Sequence, residues 1–227
     1  MKIGSFLDLS SIDYPRHLCS IIFLSRCNFK CPYCQNYEIL ERGKEVEVDE
    51  IVNRVKENFL IDSLCISGGE PLLQIDKLIE LLNKIRDLKL KIKIDTNGYY
   101  YKSLQRIIEE DLVDYIALDF KTAIEKYDSL TKKKNSGINV LKSLEILASS
   151  NIEFEVRTTV VPTLINKDDI IEIASILKEY KVKNYFLQQF RNASVLDKRL
   201  EKVQPYSKEF LQSIADEIKY LSVECRF

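Results

Sequence analysis

The chain has no tryptophan and a single histidine, His17, among its 227 residues. A histidine-based metal site or a Ser-His-Asp triad would have to rest on that one residue, so both are nearly excluded. No apolar run approaches the roughly 18 residues of a spanning helix. The opening Met1-Lys2-Ile3-Gly4-Ser5-Phe6 lacks the apolar stretch of a signal peptide. No charge sign dominates: 34 basic and 35 acidic residues leave a net charge of −1. That balance gives no bulk electrostatic reason to expect nucleic acid or an anionic membrane as partner. No low-complexity linker or short repeat divides the chain. The expectation is one cytoplasmic domain over residues 1–227, with its core at about 18–190 and a C-terminal helix and strand at 207–226.

Hydrophobic residues make up 45% of the chain, enough for a core without covalent staples. Apolar, β-branched runs predict strands at Ile21–Leu24, Leu64–Ile66, Ile92–Ile94, Tyr115–Leu118, Phe154–Val161 and Tyr185–Leu187. Between them lie helical faces: Ile51, Val52, Val55 and Phe59; Ile75, Leu78, Ile79, Leu82 and Ile85; Leu104, Ile107 and Ile108; Val140, Leu141, Leu144 and Leu147; Ile170, Ile173, Ala174 and Leu177. Ser207 is placed to cap a last helix carrying Leu211, Ile214, Ala215 and Ile218. Six strand–helix alternations are the pattern of a parallel α/β sheet or barrel.

Such folds place their sites at the C-terminal ends of the strands, and the unusual residues of this chain fall there. After the first predicted strand comes Cys27-Asn28-Phe29-Lys30-Cys31-Pro32-Tyr33-Cys34, a C-x3-C-x2-C run. Gly68-Gly69-Glu70 follows the second, Asp95-Thr96-Asn97-Gly98 the third, and Asp119-Phe120-Lys121 the fourth. Three thiols from one loop fall one short of the four ligands that close a structural zinc site or an iron–sulfur cluster, which leaves a metal position open. In a reducing compartment the six cysteines read as metal ligands and buried small hydrophobes. Cys19 and Cys65, within apolar runs, read as core thiols, and Cys225 as an edge-strand thiol.

Each remaining motif has a plainer reading beside the functional one. Two glycines at a strand end bring backbone close to a ligand or make only a turn. Asp95 and Asp119 can share a cation, and Lys121 can pair with a ligand carboxylate or stand as a solvated charge. Asn97-Gly98 is also a simple turn. Arg157, on the fifth strand, faces an anion or pairs with Glu155 or Glu153. His17 reads as a loop residue and Lys132-Lys133-Lys134 as a solvated loop.

The cysteine run, with aromatic Tyr33 just before its third cysteine, and Gly68-Gly69-Glu70 after the second strand resemble the radical S-adenosylmethionine (SAM) enzymes. The chain is further similar to their short members that activate glycyl-radical enzymes, the activases of pyruvate formate-lyase and of anaerobic ribonucleoside-triphosphate reductase. Ser11-Ile12-Asp13-Tyr14-Pro15, Cys34-Gln35-Asn36, Asp95-Thr96-Asn97-Gly98, Asp119-Phe120-Lys121, and Arg157 with Val160-Val161-Pro162 carry that closer likeness. The resemblance implies a partial (β/α)6 TIM-like barrel with mostly parallel strands. It implies a [4Fe–4S] cluster on Cys27, Cys31 and Cys34, with S-adenosyl-L-methionine on the open iron.

Around that cofactor the resemblance places Tyr33, Gln35 and Asn36 near the adenine and Gly68, Gly69 and Glu70 at the methionine amino group. Asp95, Thr96, Asn97, Asp119, Lys121 and Arg157 complete the expected contacts, with a monovalent cation at Asp95 and Asp119. Asp13 is expected to touch the incoming glycyl loop. The implied partners are a glycyl-radical enzyme and an electron donor such as flavodoxin or ferredoxin. The chain departs from the pattern at Arg26, at Gln35 and at Gln188-Gln189-Phe190-Arg191, which lacks a cofactor-holding histidine. Two alternatives stay open: a radical enzyme acting on a small molecule, and a non-catalytic zinc or iron–sulfur module.

Overall fold

The computed structural model describes residues 1–227 and divides into two compact units. The first comprises Met1–Asn28, Asn36–Thr96 and Tyr100–Ala117; the second comprises Phe29–Gln35, Asn97–Tyr99 and Leu118–Phe227.

In the first unit the elements are β1 (Lys2–Ser10), β2 (Cys19–Leu24), α1 (Tyr37–Arg42), β3 (Lys44–Glu45), α2 (Val48–Glu57), β4 (Ser63–Gly68), α3 (Ile75–Asp87), β5 (Lys91–Thr96) and α4 (Tyr101–Glu109). Strands β2, β4 and β5 are parallel, with Leu24 opposite Gly68 and Ile66 opposite Ile94. Their runs are buried on both faces, Ile21, Ile22 and Leu24 on β2 and Leu64, Cys65 and Ile66 on β4. That is why they read as unbroken apolar stretches. Strand β1 pairs antiparallel with β2 and with β3. It was not anticipated, because Gly4, Ser5, Asp8 and Ser10 interrupt its apolar pattern. Helix α2 ends at Glu57, Asn58 turns out of helical conformation, and Phe59 is 91% exposed. The expectation that Phe59 shares the buried face of Ile51 and Val55 is therefore corrected.

Strand β6 (Tyr115–Asp119) crosses from the first unit to the second. The second unit continues with α5 (Tyr127–Thr131), α6 (Ser136–Ser149), β7 (Glu153–Val160), α7 (Lys167–Glu179), β8 (Tyr185–Gln189), α8 (Lys208–Glu217) and β9 (Val223–Arg226). Strands β7, β8 and β9 are parallel. The strand order of the sheet is β3-β1-β2-β4-β5-β6-β7-β8-β9, so the α/β expectation with mostly parallel strands holds, and Cys225 lies on an edge strand as expected.

The helices start where side chains can cap them. Asn166 and Asp169 exchange side-chain and backbone hydrogen bonds, both at 2.9 Å, at the start of α7, a capping box. The Ser207 hydroxyl accepts from the Phe210 amide at 3.2 Å and opens α8, as its sequence position predicts. Asn135 has no capping side-chain bond of its own. Asp128 on α5 accepts from the Asn135 and Ser136 amides, each at 2.8 Å, and so starts α6. No helix is long and apolar enough to cross a membrane.

Candidate active site

In the first unit the strand ends are tied together by backbone. Gly68 has a positive φ of 107°, a region that favours glycine. A Cβ there would strike the Leu24 backbone, and one on Gly69 would strike the Arg26 carbonyl oxygen. The Gly69 amide donates to the Leu24 oxygen at 2.8 Å and the Glu70 amide to the Arg26 oxygen at 3.0 Å. Both glycines therefore let the end of β4 lie flat against the segment that enters the cysteine run. Asn36, just past that run, donates to the Gly68 oxygen at 3.2 Å.

Glu70 is 0% exposed. Its carboxylate accepts from the Thr96 hydroxyl at 2.8 Å and from the Leu72 amide at 3.1 Å. Those bonds are what a buried charge requires, and they lock the β4 and β5 exits together. Asp95 sits between the Ser67 hydroxyl, 3.0 Å away, and the ammonium of Lys93, which is itself 1% exposed and bonded to Asp95. Sequence reading passed over Lys93. The signal was there, since residues two apart on a strand share a face and Lys93 precedes Asp95 by two. Cys19 and Cys65 are buried thiols, as expected. His17 is 2.9 Å from the Asp62 carboxylate, and the Asp13 carboxylate accepts from the Ser10 hydroxyl at 2.5 Å.

In the second unit charges gather at the end of β6. Arg157 Nε and Nη2 reach Asp119 Oδ1 at 3.0 and 2.9 Å, and Lys121 Nζ reaches Asp119 Oδ2 at 3.2 Å. Arg157 is also 3.8 Å from Glu155, whose carboxylate is held in turn by both guanidinium nitrogens of Arg226 at 3.1 and 3.0 Å. The ion-pair reading of Arg157 is realised, with Asp119 as a partner the sequence did not indicate beside Glu155. Burial, the largest single influence, works against the Lys121 charge, but Asp119 together with Tyr33, Cys31 and Tyr127 outweighs it and holds the ammonium above its usual range. The Lys121 amide donates to the buried Tyr127 hydroxyl at 2.7 Å, a positioning contact that a short helix gave no sequence signal for.

Cys31 and Tyr33 lie buried in the same unit. Burial pushes the Cys31 thiol up to about 11, with the Lys121 charge opposing it, and lifts the Tyr33 hydroxyl well above its usual range. The Cys34 oxygen accepts from the Leu196 amide at 3.1 Å and the Pro32 oxygen from the Asp197 amide at 2.8 Å. Gln35 donates to the Arg191 oxygen at 3.2 Å. Asn97 caps its own turn, its side-chain oxygen accepting from the Tyr99 amide at 3.0 Å. The plainer reading of Asn97-Gly98 as a turn is thus realised.

Cys27, Cys31 and Cys34 are all free thiols. No group of three or more His, Cys, Asp or Glu side chains stands in ready metal-ligating geometry, so the fit to a cluster rests on the donors. Three soft thiols within eight residues suit iron–sulfur ligation.

The model of the Radical SAM superfamily matches residues 21–187. A protein of Methanocaldococcus jannaschii, provisionally named a glycyl-radical enzyme activating enzyme, is 37% identical over 91% of this chain and 87% of its own length. The pyruvate formate-lyase-activating enzyme of Clostridium pasteurianum is 27% identical over 97% of this chain and 98% of its own. Among solved structures, SuiB of Streptococcus suis bound to S-adenosylmethionine matches with a TM-score of 0.64 at 18% identity, covering 89% of this chain and 48% of that one. The chain spans about half the length of that structure. The likeness is one of fold, and such neighbours have a partial TIM-barrel fold.

Proposed function

The chain belongs to the radical SAM superfamily and is an enzyme of it, and from that premise we propose that it installs a glycyl radical on a partner enzyme. The observation that carries this reading is the 37% identity, over 91% of the chain, to an activating-enzyme relative. In this reading Cys27, Cys31 and Cys34 would hold a [4Fe–4S] cluster and leave room beside it for the amino and carboxylate groups of S-adenosylmethionine. With one electron from a flavodoxin- or ferredoxin-type donor, the pair would supply methionine and a 5′-deoxyadenosyl radical able to take a hydrogen from a backbone glycine.

The chain's own residues orient and enclose. The backbone at Gly68 and Gly69 lies beside the cysteine run and receives the methionine amino group. Lys121 and Arg157, both mostly buried and both on Asp119, supply positive charge for the methionine carboxylate. Tyr33, Gln35 and Asn36 border the adenine, and Thr96 and Asn97 fix the β5 exit. Asp95 and Asp119 already carry side-chain cations, Lys93 for the first and Lys121 with Arg157 for the second. A monovalent cation bound there would contest those ammonium and guanidinium groups. Asp13 meets the glycyl loop. A glycine suits radical transfer because no side chain shields its α-carbon, and the protein's part is positioning and exclusion of water.

Anaerobic reconstitution tests this. Iron uptake, with 5′-deoxyadenosine formed on adding dithionite and S-adenosylmethionine, is expected. A glycyl doublet by electron paramagnetic resonance is expected once the partner enzyme is added. Zinc uptake without 5′-deoxyadenosine would overturn the cluster assignment. Nucleoside release without a doublet on any glycyl-radical enzyme tried would overturn the activating reading alone.

A further inference from the structure

In the second unit, strands β7, β8 and β9 carry a row of charges that ends at Asp119. On β7, Glu155 and Arg157 stand two residues apart and so share a face of the strand. Arg226, on β9, lies opposite Gln188 of β8 and reaches over that strand to β7. Its two terminal nitrogens donate to Glu155 Oε1 and Oε2 at 3.1 and 3.0 Å. Its guanidinium lies 3.5 Å from the centre of the Phe186 ring, and Phe186 is the β8 residue opposite Arg157. The ring supports the flat guanidinium, and the fork matches both carboxylate oxygens, which a point-charged ammonium cannot do. Along the row the signs alternate: Arg226, Glu155, Arg157, Asp119, Lys121. Successive members approach to 3.0, 3.8, 2.9 and 3.2 Å.

The two carboxylates differ in what they demand. The Glu155 side chain is 1% exposed, whereas Asp119 keeps a third of its surface in water. A carboxylate as enclosed as Glu155 requires a cation, and removing its partner is costly. Two arginines flank it and do not share it equally. Arg226 takes both oxygens, while Arg157 stands off at 3.8 Å and spends Nε and Nη2 on Asp119. The outer arginine thus meets the demand of Glu155 and leaves the inner one for the strand end. Without Arg226, the enclosed carboxylate would compete for Arg157 against a partly hydrated one, and the less screened charge attracts more strongly. The row would also lose the positive charge by which its cations exceed its carboxylates.

We propose that Arg226 is a positioning residue: by neutralising Glu155 it keeps Arg157 on Asp119, and so sets the positive charge that Arg157 and Lys121 offer to an anionic group at the end of β6. The proposal rests on the reading of those two side chains as the charges for the methionine carboxylate, and extends it to a strand none of whose residues were assigned to the site. An arginine that merely tied β9 to the sheet would stabilise the fold without acting on the end of β6.

The experiment compares two variants of the full chain. Arg226→Gln can keep one hydrogen bond to Glu155 and removes the charge. Arg226→Gln combined with Glu155→Gln removes both charges and restores the balance of the row. Affinity for S-adenosylmethionine, read by equilibrium binding after anaerobic reconstitution, should weaken about fivefold in the single variant and return to within about twofold of the parent in the double one. The half-saturating concentration for 5′-deoxyadenosine formation should rise by the same factor, an effect on KM. In the metal-free chain, the nitrogen–proton NMR resonance of Arg157 Nε, assigned by its loss in Arg157→Lys, should shift in the single variant and return in the double. If the parent binds no S-adenosylmethionine, the reading of the site fails, while the resonance still decides the coupling. A lower melting temperature of Arg226→Gln with affinity and resonance unchanged would make Arg226 purely structural and overturn the proposal. A double variant that binds as weakly as the single one would do the same. Should Arg226→Gln not fold, Arg226→Lys keeps the charge and gives up the fork, and it should still shift the Arg157 resonance; an unmoved resonance overturns the proposal.

Discussion

Glu70 and Asp119 stand at the ends of strands β4 and β6 and differ in everything else. Glu70, in the first unit, is fully enclosed, and its Oε1 accepts from both the Thr96 hydroxyl and the Leu72 amide. Asp119, in the second unit, stays 32% exposed and holds Lys121 and Arg157. The same contrast runs through their neighbours. In the first unit Lys93 is sealed against Asp95, and the glycines serve backbone packing. In the second, Lys121 and Arg157 keep part of their surface open. A buried carboxylate oxygen that accepts two hydrogen bonds fixes geometry, whereas a carboxylate with cations at a partly open strand end has room to exchange partners. Within the first unit the strand end is held by backbone packing and an enclosed carboxylate; within the second the charges at the strand end stay partly open.

The largest effect is expected at the cysteine run. Cys31→Ala should abolish 5′-deoxyadenosine formation and lower iron content after reconstitution. Retained cleavage would remove Cys31 from the ligand set. Next in size is Lys93→Met, which strands a largely buried Asp95 and should cost about 3–5 kcal/mol in urea unfolding. Lys93→Met combined with Asp95→Asn should recover most of the loss; if it does not, the pair is not what stabilises the first unit.

Lys121→Met tests the other side of the contrast. Arg157 remains on Asp119, so stability should fall less than with Lys93→Met. Affinity for S-adenosylmethionine, read by equilibrium binding, should drop about tenfold, as expected for one lost charge-assisted bond. The reverse order, with Lys121 mattering to stability and Lys93 to binding, would invert the assignment of the two units. Gly69→Ala drives a methyl toward the Arg26 carbonyl and should cost about 1–3 kcal/mol as overpacking. An unchanged melting temperature would show that the β4 exit yields.

The smallest effect is expected where α5 starts α6. The Ser136 hydroxyl and the nearby amides hold the Asp128 carboxyl below its ordinary value of 3.8. Its folded-state pKa is lowered, so its contribution is complete above pH 3.8 and is lost as pH falls through the lower folded value. Asp128→Ala should cost about 1 kcal/mol near neutrality, typical of a lost helix cap. The difference between variant and parent should vanish in acid. A difference that persists there would mean that packing, and not the cap, is at stake.

Much of the fold was legible because its signals are local. Strands β2, β4, β5, β6, β7 and β8 lie where apolar runs stand, and the Ser207 cap starts α8 as its spacing indicates. Strand β1 escaped because its interrupted pattern acquires meaning only opposite β2. Phe59 misled because helical periodicity carries on past the residue at which the backbone turns away. Of the candidate site, the residue types and their placement at strand ends could be read directly. Their partners could not, since Glu70 with Thr96 and Arg157 with Asp119 are 26 and 38 residues apart.

By itself, the sequence determined the donor chemistry: three soft thiols at C-x3-C-x2-C spacing, and glycine where a side chain would collide. Spacing within one loop survives any arrangement of the rest of the chain. Only the tertiary structure decided which charges are neutralised and which stay available. It paired Asp95 with the buried Lys93 and left Asp119 partly open. The reason is that burial and pairing depend on what distant strands and loops bring alongside, and the energy of a charge or a hydroxyl is set by that surrounding and not by its neighbours in the chain.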